Sequence, residues 1–320
     1  MSESHSDQQG MGPVEVVVLV AACAAGFSLL LPAINGGSRT PSRRTSCELN
    51  LYQVSLASFR FGDQHGFVPG WRNASPNKAD AAGQNTVSWP VVLLPYLERT
   101  DIHRKWSSGD PVATQVSVFI CPSSPPENVG ELTLSYAGNV GSGANARKWD
   151  GVMLDTTDET FGRMGLDEIA AADGTSQTCL IAERCGSGGK RPLHQYWWDR
   201  RGLAVPEEPT GFFENVAAYE AFAPSPRPGI GIAGKPTPGM KVINNTREDS
   251  APGFWSQPSS NHVDGVMMGF CDGHTVFVRD SIDASVYAQL VSSDSSKASE
   301  MSQVDWAANS HPVLTDSDYK

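Results

Sequence analysis

Apolar positions are unevenly spread along this chain. From Val14 to Ile34 almost every residue is apolar, with one acid near the start, Glu15, and one proline near the end, Pro32. As a helix these twenty-one residues rise about 1.5 Å each and reach about 30 Å, the depth of a bilayer's hydrocarbon core. The pattern predicts a polar, acidic start followed by one membrane-spanning helix. Asn35-Gly36-Gly37-Ser38-Arg39-Thr40-Pro41-Ser42 is rich in helix breakers and predicts a flexible break over 37–45. Beyond it Cys47, Leu51, Val54 and Phe61 recur at helical spacing, and Thr45 with Glu48 reads as a capping box. An amphipathic helix is expected from Ser46 to Phe61.

Shorter patterns follow. Trp89 to Leu97 mixes large apolar groups with prolines, which suits a buried edge segment and a short helix. Gln115 to Cys121 is rich in β-branched residues and ends at Pro122, and Gln177 to Glu183 is similar, so both read as strands. Leu166 to Ala172 reads as a short helix stopped by Asp173-Gly174. Gly265–Phe270 and Thr275–Val278 are strand-like runs joined by Cys271-Asp272-Gly273-His274. An Asp-Gly turn there predicts a hairpin in which both residues take positive φ. A helix follows from Asp280 to about Leu290, with Ser281 or Asp283 as its cap. Residues 186–260 form a Pro/Gly-rich, loop-rich insertion, and 293–320 a polar, aperiodic tail. The expected fold class is α+β: an N-terminal helix packed on an antiparallel sheet in a domain spanning 46–292.

Charge and cysteines narrow the function classes. A net charge of −11, with no concentrated basic patch, argues against nucleic acid. The six cysteines show neither CxxC nor a Cys/His spacing typical of zinc. Cys23 falls inside the apolar span, which leaves the odd set Cys47, Cys121, Cys179, Cys185 and Cys271. A local Cys179–Cys185 bridge is disfavoured by the turn it would need. There is no nucleophile elbow, HExxH, P-loop or dinucleotide fingerprint, so the chain reads as a non-enzyme without a cofactor. Asp155 with Asp158, or Asp264 with Asp272, are the acid pairs a calcium ion would use, but neither has EF-hand spacing. Trp197 and Trp198, with Phe212, Phe213 and Tyr219, would either line a binding face for a sugar ring or, the favoured reading, cover one edge of the sheet.

Gly10-Met11-Gly12-Pro13-Val14-Glu15 resembles the processing site of type IV prepilins and type II secretion pseudopilins. In those families a peptidase cuts after a glycine, the new amine is methylated, and a glutamate stands fifth in the mature chain. The resemblance implies a leader over residues 1–10 that ends at Gly10, a transmembrane helix over 11–36 with Met11 as the first mature residue, and Glu15 as the buried counter-charge to a neighbouring subunit's amine. The leader has no Lys or Arg while Arg39, Arg43 and Arg44 follow the span, so charge counting alone points to the opposite orientation.

A broader resemblance rests on motifs in order: Leu29-Leu30-Leu31-Pro32-Ala33-Ile34, Cys47, Phe67-Val68-Pro69-Gly70, Ser88-Trp89-Pro90, Phe119-Ile120-Cys121-Pro122-Ser123, Ser135-Tyr136-Ala137-Gly138-Asn139, and Ala172-Asp173-Gly174-Thr175-Ser176. They end with Asn261-His262 and then Asp272-Gly273. Together they resemble the bacterial prepilin-like family called domain of unknown function 1559. That implies a protein of the bacterial inner membrane, with a single span and an ectodomain facing the periplasm or cell surface. Its partners would be the membrane, prepilin peptidase, and pilin-like subunits or its own copies through the N-terminal helix. Cys121 is a candidate to bridge Cys47 and tie the helix to the sheet, although spacing does not fix connectivity. His262 and Asp272 would stand about 30 Å apart along a strand, too far for a catalytic pair. His262 is expected to tie down the strand's start and Asp272 to make the turn. The reading is a pseudopilin-like structural or surface-display subunit. The alternative is a membrane-tethered binding protein that recognises a glycan or envelope component through 186–260.

Overall fold

The computed structural model describes residues 12–14, 16–21, 39–77, 86–109, 114–125, 134–139, 148–149, 151–157, 162–184, 243–244, 258–297 and 314–319. The chain divides into two compact units, Met1–Ser42 and Arg43–Lys320. In the first, residues 13–14 and 16–21 are helical, and Val14, Val17, Val18, Leu19 and Val20 are exposed. Among the described residues no helix is long and apolar enough to cross a membrane. Glu15 and residues 22–34 of the apolar stretch lie outside them.

Helix α1 spans Arg39–His65. The expected break over 37–45 is therefore corrected: the chain is helical from Arg39, and Thr45 lies inside the helix rather than at its cap. Pro41 sits in the first turn, where backbone N–H groups have no intrahelical partner, so it removes no hydrogen bond. The predicted face is buried: Cys47, Leu51 and Val54 completely and Phe61 nearly so. Each large apolar side chain withdrawn from water here contributes about 1.5–3 kcal/mol.

A two-stranded antiparallel ribbon follows, β1 (Arg72–Ala74) with β2 (Thr86–Ser88). Helix α2 (Trp89–Leu93) runs straight on from β2 into a 3-10 turn, Leu94–Leu97, and then α3 (Thr100–Ser107). Both prolines fall in opening turns, so the expected short helix is present and the expected edge segment before it is helical too. The expected strand Gln115–Cys121 is also absent; its centre is a 3-10 turn, Ser117–Phe119. Val116, Phe119 and Cys121 are buried there, so the apolar content serves the core without a strand ladder.

The main sheet has the order β3 (Tyr136–Gly138), β4 (Cys179–Glu183), β5 (Gly265–Phe270), β6 (Thr275–Arg279), and every pairing is antiparallel. Helix α4 (Leu166–Ala171) precedes β4. Strands β4 and β5 are buried at every position. One face joins the core that contains Cys47, Leu51, Ile181 and Met267. The other packs Val266, Met268 and Phe270 with Tyr287 and Leu290 of α5 (Ala284–Val291) and Tyr319 of α6 (Asp316–Tyr319). Burial on both faces explains why β5 reads as a continuous apolar run rather than an alternating one.

Helix and sheet meet closely at Gly269. A Cβ there would collide with Ser55 Oγ on α1, so a glycine in the strand and a small hydroxyl on the helix set their approach. The hairpin turn closes through Gly273 N–H to the Phe270 carbonyl, 2.9 Å. Within the turn only Gly273 takes positive φ, at 93°. Asp272 does not, because four residues rather than two link the strands and only the last before His274 needs the left-handed region.

The tail boundary at 293 is corrected too. Ser293 N–H donates to the Trp149 carbonyl at 2.9 Å, Leu314 and Tyr319 are buried, and the Gln177 amide donates to the Leu314 carbonyl. Of the 186–260 insertion only 243–244 and 258–260 are described, and these are tied to the start of β5. Asn244 donates to the Gly265 carbonyl at 3.2 Å and accepts from Ser260 N–H at 2.8 Å.

Candidate functional site

Four segments distant in sequence converge beside α1. Cys47 comes from the buried face of α1, Cys121 from the end of the 3-10 turn, Glu183 from the last position of β4, and His262 from the loop before β5. Cys47 and Cys121 form a disulfide that spans 74 residues, with Cα atoms 4.8 Å apart. This is the pairing that ties α1 to the rest of the core.

Next to the bridge is a buried acid–imidazole pair. His262 Nε2 lies 3.6 Å from Cys121 Sγ and 3.1 Å from Glu183 Oε1. The Glu183 and His262 side chains are 1% and 3% exposed. A buried carboxylate is costly unless its oxygens are satisfied. Here Oε1 faces the ring nitrogen and Oε2 accepts the Met267 backbone N–H at 2.9 Å.

Sheet and loop together aim these groups. Glu183 stands opposite Tyr136 in the ladder, and its carbonyl accepts Ser259 N–H at 3.0 Å. The loop then folds on itself: His262 N–H donates to Ser260 Oγ at 3.0 Å, and that hydroxyl donates to the Gly265 carbonyl at 2.6 Å. Asn261 donates to the Ser123 carbonyl at 3.0 Å, which holds the loop to the Cys121 segment. The His262 ring meets Phe277 edge-on at 6.3 Å, and the Arg44 guanidinium lies 3.6 Å from the Phe277 ring centre. On the Cys47 side, the Tyr136 hydroxyl donates to the Cys47 carbonyl at 3.5 Å.

The two sulfurs, the ring nitrogen and a carboxylate oxygen all lie within 4.8 Å of one another. Chemically these are metal-ligand atoms, two of them held as a disulfide that carries no proton. Local spacing gave no sign of it, since the four residues share no short motif. The one available signal was an acid closing the apolar strand Cys179-Leu180-Ile181-Ala182-Glu183.

The other expected residues fall elsewhere. Asp272 and Gly273 lie in the β5–β6 turn, at the far end of β5 from His262. Asp272 pairs with His274 Nδ1 at 2.5 Å; burial alone would raise its carboxyl, but the His274 contacts outweigh that and hold it below the usual range. The Asp264–Asp272 calcium pair does not form. Asp155 pairs with Arg72 at 3.3 Å and accepts from Thr157, Asp158 lies outside the described residues, and Asp264 and Asp272 flank opposite ends of β5. Gly10, Met11, Glu15, Trp197, Trp198 and Cys185 also lie outside them. Cys179 and Cys271 are free, buried thiols.

A family model described as "Protein of unknown function (DUF1559)" matches residues 38–285, more than half of the chain. No curated protein and no solved structure matches it.

Proposed function

The chain belongs to the DUF1559 family, and on that footing we propose that it is a membrane-anchored, pseudopilin-like structural or surface-display subunit. Helix α1 carries the reading. It runs for 27 residues, follows the apolar Val14–Ile34 stretch in sequence, and lays its buried face on an antiparallel sheet. A subunit that anchors or assembles through its N-terminal segment needs such a helix to organise the head domain. The disulfide that fastens α1 suits an oxidising compartment such as the periplasm or cell surface.

In this reading prepilin peptidase cuts between Gly10 and Met11. The Met11 amine then lies in lipid and needs a counter-charge, which Glu15 of a neighbouring copy supplies. The test is mass spectrometry of the mature N-terminus from native membranes. Methylated Met11 is the expected result. An intact Met1 or Ser2 overturns the processing step and leaves a plain membrane anchor.

A further inference from the structure

We propose that reduction of the Cys47–Cys121 disulfide converts the buried cluster into a tetrahedral Zn2+ site, with Cys47 Sγ, Cys121 Sγ, His262 Nε2 and Glu183 Oε1 as ligands. The donor set comes first. Two thiolates, an imidazole and a carboxylate are the groups that bind structural zinc, at about 2.3 Å from sulfur and about 2.0–2.2 Å from nitrogen or oxygen. Around a tetrahedral centre those bond lengths put ligand atoms about 3.3–3.8 Å apart. The cluster already holds Cys121 Sγ to His262 Nε2 at 3.6 Å and His262 Nε2 to Glu183 Oε1 at 3.1 Å. The remaining pairs lie within 4.8 Å, and the sulfurs, being bonded, are too close until reduction separates them.

Reduction balances with a dithiol reductant. It supplies two electrons and two protons, the S–S bond breaks, Cys47 and Cys121 become thiols, and the reductant becomes a disulfide. Zn2+ then displaces both thiol protons to solvent. His262 gives up the Nε2 proton that faces Glu183 and carries its ring proton on Nδ1 instead, which frees Nε2 for the metal, and Glu183 binds as the carboxylate. Two thiolate charges offset the cation's two, so with neutral imidazole the net charge of the buried cluster equals that of the disulfide state. That matters where charge is expensive to bury. Glu183 Oε2 keeps its bond from Met267 N–H, which orients the carboxylate from behind. His262 alone of the four sits in a loop between exposed neighbours, Asn261 and Val263, and that loop is the route for the ion.

The test uses the full chain in mild detergent, reduced with a phosphine under argon, desalted, and titrated with Co2+ as a spectroscopic stand-in and then with Zn2+. Reduced protein should bind one Co2+ with thiolate-to-cobalt charge-transfer and tetrahedral ligand-field bands, which Zn2+ abolishes. Oxidised protein should show neither band. Glu183→Gln and His262→Gln should each weaken Co2+ binding by at least about tenfold. The same bands in a Cys47→Ser/Cys121→Ser variant would place the metal on other cysteines and overturn the proposal. So would reduced protein without charge-transfer bands. Should reduction unfold the chain, recovery of native circular dichroism on adding Zn2+ supports the site, and failure to recover refutes it.

Discussion

Opening the Cys47–Cys121 bridge without metal should destabilise this protein strongly. The bridge closes a loop of 74 residues. In the chain-entropy treatment a cross-link of that span removes about 15 cal/mol/K from the unfolded chain, or about 4.5 kcal/mol at 25 °C. The folded state offers little compensation. Both sulfurs sit in a filled core, at 0% and 1% exposure, and two thiols need more room than one bridge. Overpacking of that kind adds about 1 kcal/mol.

The assay is urea unfolding of the full chain in non-ionic detergent, oxidised against phosphine-reduced, with a chelator in both. Tryptophan emission reports the transition, because Trp89 and Trp106 are buried in the same core as the bridge. With a slope of about 3 kcal/mol/M, the midpoint should fall by about 1.8 M on reduction. The slope itself should rise, because the reduced unfolded chain expands further and exposes more surface. A midpoint within roughly 0.3 M of the oxidised protein, at unchanged slope, refutes the reasoning. It would mean that the 74-residue loop is restrained by something other than the bridge.

Three further outcomes follow from the packing and electrostatics. Gly269→Ala drives a methyl into Ser55 Oγ and should cost about 1–3 kcal/mol in thermal unfolding, part of it restored by Ser55→Gly; no loss would mean that α1 does not seat on β5 there. Cys179 and Cys271 should resist alkylation in the native protein and react in denaturant, since burial pushes both thiols up; peptide mapping that finds either modified first would contradict this. The Lys148 ammonium, 2.6 Å from Glu168 Oε1, holds that carboxyl below its usual range, with Gly165 N–H helping. Stability from this contact is present above the ordinary Glu pKa and is lost as pH falls through the depressed one, so Lys148→Met should move the Glu168 titration upward by NMR.

Local patterns carried much of the fold. The face of α1 is readable because Cys47, Leu51, Val54 and Phe61 repeat at 3.6-residue spacing over four turns, and the β5–β6 hairpin because its turn carries Asp272-Gly273. The failures share one cause, tertiary demand overriding propensity. Residues 115–121 look like a strand, yet the core needs Val116 and Phe119, and the bridge needs Cys121, at positions no neighbouring strand pairs with. The stretch before Thr45 looks broken because glycine and proline cluster there, but Pro41 falls in the one turn of a helix that tolerates it. The final residues look featureless, and Leu314 and Tyr319 pack all the same, since a second layer over the sheet needs few apolar side chains.

The site was out of reach for a different reason. Glu183 and His262 are 79 positions apart, and they meet only because β4 and β5 are neighbours and the loop before β5 bends back over the end of β4. Stability does not account for their presence. Replacing a buried ion pair with apolar groups of similar size is commonly neutral or stabilising, while removing one partner alone costs about 3–5 kcal/mol. The disulfide already fastens α1, and the surrounding core is apolar enough to have closed over a leucine or methionine. A fold that nevertheless keeps a carboxylate at 1% exposure, gives each oxygen a donor, and turns a histidine toward a sulfur has committed polar groups where packing asks for none. Their common neighbour is the bridge, and the zinc site proposed for the reduced state is a use for all four groups that packing alone does not supply.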